Sequence, residues 1–410
     1  VVRARRLAAV ALAAALCGCE DWDQVACGLR HVCGGDAGRF QLVQGLDDAA
    51  PSPLVGFAVG AQSRALLTPR ALVVLDDAGV RALAAAPSAS WTALSGLQSP
   101  TQFFVADSAG RVASWTEPWR LDHLAFSLPP AAISPVPPAL GVTYLDAQAA
   151  PEVGLFGTFD GGLWVAGVFA DGGVEGVDSQ PCDLAEPQGA AVSLQSTSLV
   201  AGLARSCPGL AGGAGRFVAT LWPRGLPNPP PRALSAVAAP DGARLRVGSN
   251  GDVAVLAYET QDGLSVARIV GGVVQENVGS VALAADGGLT RPLLEAALQL
   301  ADRDAFLYAL TNRGQGVLTV TPDAVGATPL AVPAGATLVV FARWTGGASV
   351  VEATQLLTPG RPFSGVRLAS DPGQSEAWLA ASCPAAPDGG TFDTFCPGPG
   401  AHHALLRWVP

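Results

Sequence analysis

Cysteine and histidine give this chain its widest chemical repertoire, and it holds eight of the first and four of the second. The stretch CGLRHVC, 27–33, brings Cys27, His31 and Cys33 together, which is the ligand chemistry of zinc. Structural zinc takes four ligands, and its paired cysteines usually stand roughly two to four residues apart. The gap from Cys27 to Cys33 is wider and no fourth ligand is near, so no metal is expected there. His402 and His403 are adjacent. On a strand such neighbours face opposite ways, and a solvated terminal pair is the expectation. Asp-Gly-Gly tripeptides begin at Asp160, Asp171, Asp286 and Asp388. They lack the alternating ligands of a calcium loop and suit tight turns instead. No H-E-x-x-H, G-x-S-x-G, phosphate loop or dinucleotide fingerprint occurs. The sequence therefore nominates no catalytic residue, no metal and no cofactor.

Cys17 and Cys19 close a segment with its own logic. Residues 1–6 hold Arg3, Arg5 and Arg6 and no acid, and 7–16 is a continuous apolar run. Such a run suits the core of an export signal, and it falls short of the roughly 20 residues that span a bilayer. Leu16-Cys17-Gly18-Cys19 then resembles the lipobox of bacterial lipoproteins, with Leu16 at its start and small residues before Cys19. Cys17 does not fit as the modified residue, because bulky Leu16 would sit at the cleavage point. The resemblance covers only the signal and its junction. It implies cleavage after Gly18, recognition through Leu16 and Gly18, and a diacylglycerol thioether on Cys19, whose amino group is then acylated. Several acyl chains on one residue anchor stably where a single chain is marginal. The implied location is the bacterial cell envelope, lipid-anchored on the extracytoplasmic side of the inner or outer membrane.

With Cys17 discarded and Cys19 lipidated, Cys27, Cys33, Cys182, Cys207, Cys383 and Cys396 remain. An even set in an exported chain reads as disulfides. Pairing neighbours in sequence is simplest, although spacing alone does not fix the connectivity. The formal net charge is −10 and every basic residue is arginine. Without a basic cluster, such a chain repels phosphate backbones. Nucleic acid is therefore not an expected partner.

The elements that would position any site are strands. Charged residues make up only 14% of the chain, hydrophobic ones 49%, and Gly 49 and Pro 33 are scattered throughout. That composition favours a packed fold of short strands and tight turns. One pattern recurs: an apolar strand, a turn of Asp, Asn and Gly, then another apolar strand. It reads FFVADSAGRVASW from Phe103, LFGTFDGGLWVAGVF from Leu155 and LAYETQDGLSVARIV from Leu256. YALTNRGQGVLTV from Tyr308 and LASDPGQSEAWLAAS from Leu368 continue it. The glycines Gly110, Gly162, Gly215, Gly263, Gly316 and Gly373 mark a period of about fifty, close to that of a kelch-type blade.

The reading is an all-β chain with a signal peptide at 1–18, a Cys-containing tether at 19–53 and a β-propeller at 54–410. About seven blades are expected, with six to eight compatible. Tandem β-sandwiches divided at the Pro-rich stretch 223–234 are the alternative, but the period runs unbroken from Gly215 to Gly263. Gly79 stands too near Gly110 for one period, so it is assigned to a different hairpin of the first blade. Segments 291–304 and 325–342 are read as strand, and the latter as strand–turn–strand rather than a membrane span.

TFDGGLW at 158–164 and SDPGQSEAW at 370–378 resemble the Asp-box turns of sialidase-like propellers, each with its spacing altered. The resemblance would imply an arginine cluster and a Tyr–Glu nucleophile. Tyr258-Glu259 is adjacent in sequence and reads more simply as a strand pair facing opposite ways. Trp91, Trp115, Trp119, Trp164, Trp222, Trp344, Trp378 and Trp408 read as blade packing. The leading functional expectation is a lipid-anchored binding or scaffold protein, held to the membrane through Cys19 and meeting a protein partner in the envelope. The alternative is a propeller hydrolase acting on a glycan or lactone, its carboxylates converging from different blades. A neutral or apolar central channel would favour the scaffold; convergent carboxylates, arginines or a metal would favour the enzyme.

Overall fold

The computed structural model describes residues 39–409 apart from breaks at 47–52, 61, 78, 87–89, 98–101, 109–111, 117–119, 125–138, 145–151, 160–161, 170–173, 193–196, 211–213, 224–229, 236, 286–292, 323–327, 346, 358–362, 371–375, 384–395 and 397–402. The elements are strands, and they form seven sheets. Blade 1 is Gly56–Val59, Arg64–Leu67, Ala71–Asp76 and Gly79–Ala85; blade 2 is Trp91–Leu97, Gln102–Asp107, Val112–Thr116 and Arg120–Leu124. Blade 3 is Ala139–Tyr144, Glu152–Phe159, Gly162–Phe169 and Val174–Gln180; blade 4 is Asp183–Val192, Thr197–Ser206, Phe217–Pro223 and Arg232–Ala233. Blade 5 is Leu245–Ser249, Val253–Glu259, Gly263–Val270 and Val273–Ala285; blade 6 is Leu293–Gln299, Ala305–Thr311, Thr337–Thr345 and Ala348–Leu357. Blade 7 takes Val366–Ser370, Ala377–Ser382 and His403–Val409, and its outer strand Arg39–Leu46 comes from the other end of the chain. The first strand of each blade touches the first strand of the next, from blade 1 round to blade 7 and back. This closed ring is a seven-bladed β-propeller.

The hairpins form where the sequence supplies turn residues. Gly271 and Gly272 have φ of +57° and +75° and join Val270 directly to Val273. Positive φ at both central residues is what a type I′ hairpin requires. A Gly-x-x-Val-Ala run occurs at 162–166, 215–219 and 263–267 and leads into the third strands of blades 3, 4 and 5. There Val165, Ala166, Val218, Ala219, Val266 and Ala267 are all buried. Second strands are buried along their whole length in blades 2, 5 and 6. Each lies between two neighbouring blades, so both of its faces meet protein.

Gly79 joins the third and fourth strands of blade 1, whereas Gly162, Gly215 and Gly263 lead into third strands. The short first interval is therefore a change of hairpin. The Pro-rich stretch lies between the third and fourth strands of blade 4, inside the ring, which removes the sandwich alternative. Leu293–Gln299 and Thr337–Thr345 are strands as expected. No helix among the described residues is long and apolar enough to cross a membrane.

Three expectations need correction. Residues 39–46, assigned to the tether, are a strand of the ring, because Phe40 and Leu42 pack into the core that blade 7 shares with blade 6. The YALTNRGQGVLTV segment is not a hairpin within one blade. After Thr311 the chain leaves blade 6, and Leu318–Pro322 and Leu330–Val332 extend the sheet of blade 5 before Thr337 returns. His403, expected to be solvated, is 0% exposed, because its strand is covered by its own sheet and by Arg39–Leu46. His402 lies outside the described residues.

Cys182 is bonded to Cys207 and Cys383 to Cys396, the sequence-local pairings. The first bond closes the base of the hairpin formed by the first two strands of blade 4. Leu16, Cys17, Gly18, Cys19, Cys27 and Cys33 lie outside the described residues.

Candidate functional site

The first strands of the blades enclose a central cavity of about 790 Å³. Blade 4 contributes Glu186, blade 5 Arg246, blade 6 Glu295 and blade 7 Arg367. Each stands within the first four residues of its strand. Asp252 of blade 5 also lines the cavity, so its wall carries charges of both signs and is not apolar.

Arg246 reaches towards blade 6. Its Nε donates to the Glu295 carbonyl at 3.0 Å and its Nη1 to the Leu245 carbonyl at 2.8 Å. Burial lowers its pKa to about 10, and the positive charges of Arg367 and Arg244 push the same way. Glu186 and Glu295 work against this at longer range. Arg367 donates Nη1 to the carbonyl of Val366 at 2.9 Å. Burial depresses this guanidinium too, Glu295 opposes that shift, and Arg244 adds to it. Neither arginine forms an ion pair among the described residues.

The carboxylates nearby are committed elsewhere. Glu295 is buried, and its Oε1 accepts from Arg313 Nη2 at 2.9 Å, while the same nitrogen donates to the Phe363 carbonyl. Glu259 accepts the Leu294 N–H at 2.8 Å and the Arg244 N–H at 3.0 Å, which ties blade 5 to blade 6. Burial pushes its carboxyl above the usual range, opposed by those two N–H bonds and by the Arg244 and Arg246 charges.

Glu186 differs from both. The pairing of Asp183–Val192 with Thr197–Ser206 breaks between Ala185 and Gln188, leaving Glu186 and Pro187 outside the ladder. Proline has no N–H to give and is confined to bulges and edges of sheets. Glu186 takes φ +45°, the one positive value at a non-glycine among the described residues. An exposed carboxylate is thereby held in a costly backbone conformation at the cavity wall.

The residues singled out from sequence fall mostly into the framework. Tyr258 faces blade 4, where its hydroxyl donates to the Leu234 carbonyl at 2.8 Å, and Glu259 faces blade 6, so the two point apart as expected. Trp91, Trp115, Trp164, Trp222, Trp344, Trp378 and Trp408 are all buried. Trp164 covers Gly157, where a Cβ would lie 2.7 Å from its ring. Trp119 and the Asp-Gly-Gly aspartates lie outside the described residues. Among the described residues no cluster of three or more His, Cys, Asp or Glu could hold a metal.

Arg246, Arg367, Glu186 and Glu295 escaped the sequence reading because they are scattered over four blades. A signal existed. ARLRVGS at 243–249 and GVRLAS at 365–370 place arginine on apolar strands in a chain with few charges. A strand walled by blades on both sides has little reason to carry a guanidinium unless the cavity uses it.

No protein-family model matches this sequence, and no curated protein does. Among solved structures the chain is similar to one in a crystal structure of the mitotic checkpoint complex, with 11% identity, TM-score 0.48 and coverage of 90% of this chain and 93% of that one. It is also similar to the structure of U3-55K, with 9% identity, TM-score 0.50 and coverage of 90% and 98%. At such identity the second likeness speaks for the fold alone, and by fold this chain is a seven-bladed β-propeller.

Proposed function

We propose that this chain is an exported binding protein of the bacterial cell envelope, anchored by lipid on Cys19, whose ligand is a small solute held in the central cavity. The observation that carries the reading is the cavity itself, about 790 Å³ with charged side chains in its wall. That volume falls in the range of small-molecule sites, roughly 300–1,000 Å³. A scaffold that used only its outer loops would do as well with a filled, neutral centre. The two disulfides suit an oxidising compartment. Arginines and carboxylates converging on one cavity also suit a hydrolase, and the strained Glu186 at the wall is its most specific support. The other two carboxylates in that wall are held, Glu295 by Arg313 and Asp252 by Arg303.

Two measurements test the proposal. Mass spectrometry of the processed chain from a bacterial host is expected to find an acylated N-terminal Cys19. An unmodified peptide starting elsewhere would remove the anchor. Thermal unfolding with panels of neutral, cationic and anionic solutes is expected to show a saturable rise in Tm for at least one class, because a ligand of the native state alone stabilises it by mass action. A flat response to all three classes would overturn the cavity as the site.

A further inference from the structure

We propose that Arg246 and Arg367 form an oxyanion site in the cavity wall, taking the carboxylate or phosphate group of a small solute. The proposal rests on the reading of the cavity as a binding site and names the chemistry it recognises.

The two guanidiniums come from blades 5 and 7 and flank Glu295 of blade 6. An arginine has five N–H donors in a planar fork. Arg246 spends Nε and Nη1 on backbone carbonyls, and Arg367 spends Nη1 on the carbonyl of the preceding residue. Nη2 of Arg246, and Nε and Nη2 of Arg367, make no protein hydrogen bond among the described residues. These donors belong to two like charges that repel each other inside a cavity. Glu295 is engaged by Arg313, Asp252 by Arg303 and Glu259 by two backbone N–H groups, which leaves Glu186 as the unpaired carboxylate of the wall. An oxyanion placed between the guanidiniums would satisfy the remaining donors and cancel the repulsion. Planar, two-pronged hydrogen bonding to carboxylate or phosphate is what arginine does better than lysine. Burial is the main cause of the lowered pKa of both arginines, with the Arg367 charge adding to it at Arg246, and at about 10 Arg246 is still a cation at neutral pH.

Glu186 has a defined part in this scheme. It is the exposed carboxylate close enough to act on Arg246, and it stands at the cavity wall without pairing with it. It therefore competes with an incoming anion. The molecule as a whole is strongly acidic, at −10. A net charge of that sign disfavours anions overall, so saturable anion binding reports a local site.

The test is isothermal titration of the full chain at low salt, with inorganic phosphate in one arm and succinate in the other. At least one of the two is expected to bind saturably, and the arm that binds tells a phosphorylated solute from an organic acid. Arg246→Gln and Arg367→Gln should each weaken that binding about tenfold or more, as expected for a lost charge-assisted hydrogen bond. Glu186→Gln should strengthen it about threefold, by removing a competing charge. Opposite signs from residues of one wall are not what general damage to the fold produces. If Arg246→Gln fails to fold, Arg367→Gln carries the test, since its one protein hydrogen bond is to Val366. The site is overturned if neither anion binds, or if both arginine variants bind as the unmodified chain does. Should neutral or cationic solutes raise Tm while both anions fail, the cavity reading survives and this inference does not.

Discussion

Phe40→Ala should lower the unfolding free energy by about 3–5 kcal/mol, the usual cost of deleting a buried phenyl ring. Phe40 is 2% exposed, and its ring meets the Trp408 ring edge-on at 5.1 Å. It belongs to a core cluster that also contains Leu357 of blade 6 and Leu406 of blade 7. Its backbone is held as well. The Phe40 N–H donates to Gln355 Oε1 at 2.5 Å, and Gln355 Nε2 donates to the Phe40 carbonyl at 2.9 Å. A side-chain amide of blade 6 thus grips the strand that completes blade 7. This is where the ring shuts, and a loosened outer strand would leave the edge of blade 7 without its partner. Gln355→Ala removes both hydrogen bonds and should cost about 1–3 kcal/mol. The double variant should cost less than the sum, because once the strand has detached the second contact has nothing left to hold. Urea unfolding of the four proteins measures the cycle. A Phe40→Ala chain within about 1 kcal/mol of the parent would mean that closure is secured elsewhere.

Gly248→Ala is expected to be the other severe substitution, at about 3 kcal/mol or more, the upper end of the overpacking range. A Cβ on Gly248 would lie 2.5 Å from Leu298 Cα, 2.6 Å from the Ala297 carbonyl oxygen and 2.7 Å from Leu298 N. All three are backbone atoms of the first strand of blade 6, so no rotamer change can make room. The strands must separate, and with them the ring of first strands that encloses the cavity. Gly251 supplies the control. It sits three residues later in the same segment with φ +92°, and a Cβ there meets nothing within 4 Å. Its substitution by alanine should cost only the left-handed backbone penalty, about 1–2 kcal/mol. Equal losses at the two positions would falsify the close approach of blades 5 and 6.

Those two glycines show where sequence reading stops. In RVGSNGD both look like turn residues, and only one of them is. Gly251 answers to its own φ, a local property that Asn250 and Asp252 advertise. Gly248 answers to the backbone of a strand some fifty residues away, which nothing in its neighbours announces. The hairpins of blade 5 were legible for the first reason: their turns and their apolar strands lie side by side in the chain. The strand Arg39–Leu46 was missed for the second. RFQLVQGL has no turn and second apolar strand beside it, and the partner that gives it meaning is His403–Val409, at the opposite end. The segment after Thr311 carries the same Gly-centred pattern as the true hairpins, yet Leu318–Pro322 pairs with Val273–Ala285 of the neighbouring blade. The pattern says that a strand follows the turn and not which strand receives it.

The candidate site divides along the same line. Glu186-Pro187 is a local signal of a broken ladder, since proline cannot donate within a sheet. That Glu186 shares a cavity with Arg246, Glu295 and Arg367 depends on four first strands lying side by side around a ring.

The all-β character, the approximate blade number and the turns are legible in the sequence alone. The sequence also pointed to the sequence-local cysteine pairs, of which two are bonded. Each of these depends on residues near one another in the chain, where periodicity, turn chemistry and loop closure leave a readable trace. The closing of the ring through Phe40 and Gln355, the extension of blade 5 by two strands of blade 6's connection, and the placing of two arginines from different blades in one cavity wall depend on the tertiary structure. Those outcomes are set by packing and charge between blades, and a pairing across the ring leaves no periodic mark on either of the segments it joins.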